Sequence, residues 1–356
     1  MLAEEQVNIG VLGAGPIAQF AHFEACQKAF NVNLYSICDV AEDLLERVGS
    51  AYAVSNLYQD YSSMLADPNL DAVIIATADE FHISASLMAL EAGKHVLCEK
   101  PLGTSVDQIL SLKKAQQKSQ KIVQVGHMKR FDPGIQSARN FIQTEMGEIQ
   151  AVKAWYCDST HRYINTDAVQ PKPIMSSGSK KPKIDPRADL ERYYLLAHGS
   201  HLVDTARFLG GPIATVRARL STKFGAYCWF IDVDFENGCL GHLDLTVAVR
   251  MDWHEGFQVY GEHGAIVGKT YNPWFYRSSE VDIFRERTGT STRILGADGH
   301  FYRRQVEGFA KAILERNETE GADINDGEAS VRAMIAIRES VYNNSVVALS
   351  EVSGVV

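Results

Sequence analysis

The sequence predicts an α/β protein: an N-terminal doubly wound parallel sheet, then a C-terminal α/β domain with an open, mostly antiparallel sheet. Three observations carry this. A strand-like run, Val7-Asn8-Ile9-Gly10-Val11-Leu12, leads straight into the glycine turn Gly13-Ala14-Gly15-Pro16-Ile17-Ala18. Strand and helix patterns then alternate through the first third, and runs such as Ala72-Val73-Ile74-Ile75-Ala76 are apolar on both faces, as buried parallel strands are. From Ile149 onward the period changes to two, the signature of half-solvated strands.

In chain order, the second apolar run, Val32-Asn33-Leu34-Tyr35-Ser36-Ile37-Cys38, ends at the acidic Asp39. Helical spacing covers 41–53 and 58–66, and the buried run 72–76 follows. Thr77 through His82 open a further helix that reaches Ala92 and stops at Gly93. A strand over 95–99, a helix over 105–119 and a strand over 122–125 complete the alternation. Ligands of such sheets bind beyond the carboxyl ends of the strands, where Glu99-Lys100-Pro101 and Gly126-His127 fall. Segments 216–220, 229–235 and 240–245 alternate as strands, with Glu236-Asn237-Gly238 turning between two of them. The stretch 170–187, rich in Pro, Ser and Lys, reads as a mobile surface loop, with a substrate lid as the alternative. Helices return over 302–315 and 328–343.

At 356 residues the chain exceeds the roughly 250–300 residues at which single cores stop growing. The expected division is 1–126 for the nucleotide-type sheet, 127–340 for a substrate and oligomerisation domain, and 341–356 for a tail. A net charge of −9 opposes nucleic-acid and anionic-membrane partners. No stretch approaches 18 uninterrupted apolar residues, and no basic-then-apolar leader opens the chain. Among the six cysteines, Cys26, Cys38 and Cys98 sit in apolar surroundings and no C-x-x-C pair occurs, so a reducing, cytoplasmic setting fits. Eleven histidines raise the question of a metal, but His161, His198, His201, His242 and His254 lack ligand spacing, and none is expected.

The glycine turn and Asp39 point to a dinucleotide. Gly13, Gly15, Pro16 and Ile17 let backbone N–H groups and a helix N-terminus approach a pyrophosphate. Asp39 at the end of the second strand accepts from a ribose diol and repels a 2′-phosphate, and no Arg or Lys occupies 40–46, so the cofactor is NAD. Lys100, partly desolvated at a strand end, can hold and polarise a substrate hydroxyl; Pro101 fixes the backbone after it, and Glu99 can orient it or touch the cofactor. The plainer alternative is a Glu99–Lys100 salt bridge. Helical spacing over 194–209 puts His198 and His201 on one face, with Asp204 a step further. Arg130, Arg162 and Tyr163 are candidate hydroxyl contacts, while the aromatics of 271–276 and around Trp253 suit either sugar faces or sheet cores.

Taken together, the glycine turn, Asp39, Thr77 with His82, Glu99-Lys100-Pro101, Gly126-His127-Met128-Lys129-Arg130-Phe131-Asp132-Pro133, Gly199-Ser200-His201-Leu202-Val203-Asp204 and Asp326-Gly327-Glu328-Ala329 resemble the Gfo/Idh/MocA family. The resemblance spans nearly the whole chain. It implies a Rossmann domain, a C-terminal domain whose open sheet mediates homo-oligomers, and hydride transfer between NAD and a secondary hydroxyl of a sugar or cyclitol. It implies cofactor contacts at Thr77, His82, Glu99, Lys100 and His127, with Lys100 and His201 as catalytic lysine and histidine, their roles on the hydroxyl interchangeable. One departure stands out. Sugar and inositol dehydrogenases of the family carry Asp four residues before the histidine, and here that position is Ala197. His198 can supply the lost contact, Asp185 or Asp189 can swing in, or Lys100 and His201 can act alone. Substrates larger than free inositol fit this departure. Oxidation at a ring carbon such as C3, with the cofactor released or recycled in place, leads; an NAD-requiring glycosidase and a non-catalytic sugar sensor are the alternatives.

Overall fold

The structure, a computed structural model, describes residues 5–161, 167–180, 182, 185–296 and 298–356. The chain forms two compact units. One holds 1–128 together with 171–188 and 302–328; the other holds 129–170, 189–301 and 329–356.

In the first unit, six parallel strands run in the order β3-β2-β1-β4-β5-β6: β1 Val7–Leu12, β2 Val32–Cys38, β3 Asn56–Tyr58, β4 Ala72–Ile75, β5 His95–Cys98 and β6 Val123–Val125. All four residues of β4 are buried, as the two-faced apolar run requires. Because the chain leaves β1 toward β2 on one side and returns at β4 on the other, the order reverses there, and a crevice opens beyond the carboxyl ends of β1 and β4. The helix after the glycine turn carries a π turn over Ala18–His22 before regular winding over Phe23–Lys28. The 58–66 segment differs from expectation. Leu57 and Tyr58 pair with Ile37 and Cys38 as an edge strand, and the helix shrinks to Tyr61–Leu65 behind an Asp60 cap that accepts from the Ser63 N–H at 2.7 Å. Residues 302–328 return to this unit because they finish its edge: Val125 N–H donates to Ala322 O at 2.8 Å, and Asn31 Nδ2 to Glu307 O at 2.9 Å. No periodicity announces such a return.

In the second unit, nine strands run in the order β14-β13-β12-β11-β7-β10-β9-β8-β15. They are β7 Ile149–Ser159, β8 Ile213–Lys223, β9 Ala226–Phe235, β10 Leu240–Val249, β11 His254–Gly261, β12 Gly264–Thr270, β13 Glu280–Arg285, β14 Thr290–Ile294 and β15 Val347–Ala348. Only β7 and β10 pair in parallel. Alternation sorts the faces: Trp229, Ile231, Val233 and Phe235 of β9 are buried, while Phe230, Asp232 and Asp234 are exposed. The Pro133–Thr144 helix packs on β12 and β13, and the Ser200–Gly210 helix on β7 and β10. The opposite face carries the exposed Phe230, Leu240, Tyr260, Val267 and Phe284 among the Asp232–His242 and Asp282–Arg293 pairs. Among the described residues no helix is long and apolar enough to cross a membrane.

Candidate functional site

In the first unit, a cavity of about 580 Å³ lies at the β1/β4 switch and is lined by Gly13, Gly15, Pro16, Ile17, Asp39 and Thr77, a size ordinary for cofactor sites. The two glycines do different work. Gly13 has φ +96°, and a Cβ there would strike the Ala76 carbonyl oxygen at 2.8 Å. A Cβ at Gly15 would meet nothing within 4 Å, so its backbone opens freely for a phosphate. Asp39 Oδ2 accepts from the Ala14 N–H and Oδ1 from the Ala41 N–H, both at 2.9 Å. These two bonds aim the carboxylate while leaving lone pairs on both oxygens for a ribose diol. The nearest following cation, Arg47, is committed to Asp43 at 2.7 Å and the Met175 carbonyl at 2.8 Å. The residues fit NAD.

Beside this cavity, the Lys100 turn is set from beneath. Buried Glu99 follows β5 directly; it accepts from His22 Nε2 at 2.9 Å and from the Lys100 N–H at 3.1 Å. Burial alone would favour a neutral Glu99, yet His22 and the Lys100 charge outweigh it and hold the carboxyl below its ordinary range. Glu99 is therefore held by a partner the sequence did not suggest, His22, buried in the helix after the glycine turn. His82 Nδ1 lies 2.7 Å from Pro101 O and Nε2 3.1 Å from Thr77 O. Two carbonyls can only accept, so this geometry favours hydrogen on both ring nitrogens and the charged form of the ring. Burial opposes that charge, but Cys98, Asp79 and the Pro101 carbonyl push the imidazole up. His82 thus ties the loop after β4 to the loop after β5, where the Lys100-Pro101 bond is cis. His127 is buried just beyond β6, its N–H on Val125 O at 2.7 Å.

The second unit brings His198 and His201 together around one tyrosine. Tyr156 of β7 stacks flat on His201, centroids 6.0 Å apart and planes 2° apart, and its hydroxyl lies 3.3 Å from His198 Nδ1. His198 Nε2 faces Asp158 Oδ2 at 3.4 Å, both nearly fully buried. The His198 ring is held between the Asp158 carboxylate at Nε2 and the Tyr156 hydroxyl at Nδ1. A carboxylate facing His198 is thus Asp158, two residues along β7, a residue outside the three expected alternatives of His198 itself, Asp185 or Asp189, and Lys100 with His201 alone. Asp189 caps the Leu190–Tyr194 helix at the Arg192 N–H and pairs with Arg338 at 2.8 Å, and Asp185 accepts from the Arg187 N–H. A π turn over Leu195–Gly199 carries His198.

A buried charge layer surrounds these rings. Lys129 pairs with Glu255 and sits 4.6 Å over the Tyr156 ring. Burial pushes the Glu255 carboxyl up in spite of that lysine. Arg130, a candidate hydroxyl contact, directs Nε and Nη2 onto Asp204, at 2.7 Å for the shortest bond, and lies over Phe208. Its head thereby braces the histidine helix. Asp132 caps the next helix through the Gly134 and Ile135 N–H groups and holds Ser279. Arg162 and Tyr163 lie outside the described residues. Among the described residues no group of three or more His, Cys, Asp or Glu is placed to hold a metal ion.

A glycine-lined switch-point cavity with a ribose carboxylate defines an NAD-binding oxidoreductase domain. Residues 7–127 match the oxidoreductase family with an NAD-binding Rossmann fold, and residues 135–267 match the GFO/IDH/MocA C-terminal domain. The chain belongs to the Gfo/Idh/MocA family. Myo-inositol 2-dehydrogenase of Thermotoga maritima is 25% identical over 365 residues, covering 98% of this chain and all of that one. Inositol 2-dehydrogenase/D-chiro-inositol 3-dehydrogenase of Shouchella clausii is 34% identical over 143 residues, 39% of this chain and 41% of its own. Among solved structures, levoglucosan dehydrogenase in complex with NADH superposes with a TM-score of 0.80 at 21% identity, covering 98% of this chain and 100% of that one, which shows a shared fold.

Proposed function

We propose that the protein is an NAD-dependent dehydrogenase of a secondary ring hydroxyl on a sugar, glycoside or cyclitol, with C3 of a pyranoside as the position oxidised. The carrying observation is the cavity at the β1/β4 switch followed, one strand along, by Lys100 on a turn locked by Glu99, His22 and His82. Bound NAD supplies the hydride acceptor. Lys100 holds the substrate oxygen through its ammonium group, and His201 takes the hydroxyl proton as the ring C–H is lost. This division of labour rests on the family motif and on each residue's own surroundings. His198, held by Asp158 and Tyr156, stands beside Ala197 as the polar group in place of the carboxylate the family carries there. The exposed apolar residues Phe230, Leu240 and Val267 make the open sheet face the surface for homo-oligomers.

A panel of sugars, inositols and glycosides, scored for both NADH absorbance and oxidised product, tests this reading. A ketone appearing with stoichiometric NADH is the expected result. Cleaved glycoside without net NADH would move the assignment to an NAD-requiring glycosidase, and no product from any substrate by NAD-binding protein would leave a sensor.

A further inference from the structure

The stretch 171–180 is no free surface loop. Ile174, Met175, Ser179 and Lys180 line the same cavity as Gly13, Gly15 and Asp39. Gln19, in the helix that follows the glycine turn and only 6% exposed, holds the stretch with both ends of its amide: Oε1 accepts from the Ile174 N–H at 2.8 Å, and Nε2 donates to Ile174 O at 2.9 Å. The second Nε2 hydrogen goes to Ala14 O at 2.8 Å, inside the glycine turn itself. A second anchor stands at the ribose end of the cavity. Arg47 donates to Met175 O at 2.8 Å, the Ser176 hydroxyl binds Asp43, and a Cβ at Gly178 would lie 3.6 Å from Ala41, the residue whose N–H also holds Asp39. Lys180 packs over the Phe81 ring at 4.8 Å and adds a positive charge to a wall whose other charged members are Asp39 and Asp60.

From this arrangement we infer that residues 174–180 are a strap that holds NAD(H) on the protein between turnovers, with Gln19 as its clasp. The inference rests on the dehydrogenase reading above and adds to it how the cofactor is kept. The strap is fastened at the phosphate end by Gln19 and at the ribose end by Asp43 and Arg47, so a dinucleotide lying along the strand ends leaves only after one fastening opens. Gln19 also couples the two events. Its amide reads the Ala14 carbonyl and the strap together, so a ligand that fixes the glycine turn tightens the clasp, and by linkage a closed clasp tightens the ligand. Lys180 favours the same closed state, since its charge complements a diphosphate.

The test is release of NADH, followed by displacement fluorescence in a stopped-flow instrument, with the nucleotide content of the purified protein read after denaturation. Wild-type protein is expected to carry NAD(H) through gel filtration. Ile174→Pro removes the donated N–H while leaving Gln19 and the glycine turn untouched; the loss of one or two hydrogen bonds predicts release about tenfold faster and cofactor-free protein after the column. Arg47→Met cuts the other fastening and is expected to speed release about threefold. Ser177→Ala, exposed and outside both anchors, releases at the wild-type rate. Bound NADH should also slow tryptic cutting after Lys180. Release at the wild-type rate from both Ile174→Pro and Arg47→Met would overturn the strap while leaving the dehydrogenase standing. Wild-type protein that binds no NADH at all would overturn both.

Discussion

The two units solve the problem of placing charge by opposite means. The first builds its cavity with few ionised side chains, Asp39, Asp60 and Lys180 on the wall, around open backbone at Gly15, with buried helpers such as His22 and His82 that fix loops. The second packs Lys129, Glu255, Arg130, Asp204, Asp158 and two histidines into a layer of which every member is under a tenth exposed. A cofactor brings its own charges and hydrogen-bonding groups, so its site needs little more than exposed N–H donors and room. Under the proposed function, the substrate is a neutral sugar or cyclitol that brings only hydroxyls, so the groups that move its protons must come from the protein. The difference teaches where tolerance to substitution lies.

The sharpest way to separate the units is Lys100→Ala. It is expected to lower kcat by about 10²–10⁴ while NADH affinity, measured by fluorescence titration, stays within about threefold. Lys129→Met tests whether the second unit's layer is held as pairs. Leaving Glu255 buried and alone costs about 3–5 kcal/mol in denaturant unfolding, and Glu255→Leu on the same background recovers most of it. Asp39→Ser acts on the first unit alone: NAD affinity falls about tenfold and the margin over NADP narrows, because the repulsion of a 2′-phosphate goes with the carboxylate. Asp158→Asn is expected to shift the pH profile of kcat and to lower it about tenfold with KM nearly unchanged, a pattern that loss of packing would not produce. The smallest effect is a slope. His82 is raised in the folded state, from 6.5 to about 10, so the stability it contributes is fully present below about pH 6.5 and is lost as pH climbs toward 10. Chemical unfolding across that window shows the decline in the wild type and a flatter curve in His82→Gln.

Legibility in the sequence follows the range of the interactions. The glycine turn, Asp39, the two-faced run of β4 and the alternation of β9 and β10 are local patterns, and the structure places all of them as read. Lys100 and the His198–His201 pair were also named, each from a short motif. Their supports were not. Glu99 meets His22 across 77 residues of chain and Lys129 meets Glu255 across 126, separations that leave no periodic trace. Asp158 had a signal: it occupies an inward position of β7 in step with Ala154 and Tyr156, and a carboxylate on the buried side of a strand calls for a partner. The strap gave no such sign, because its Pro, Ser and Lys composition is that of any exposed loop, and its hold comes from the Gln19 amide 155 residues earlier.

The central claim, hydride removal from a ring carbon to NAD under the control of Lys100, is tested most directly with a pyranoside deuterated at C3. After a single turnover with excess NAD, mass spectrometry of the nicotinamide should find the deuterium at C4, with a matching 3-keto product, and Lys100→Ala should transfer it at least about a hundredfold more slowly. Deuterium retained on the sugar by protein that binds NAD, or transferred equally fast by the Lys100 variant, would contradict the account.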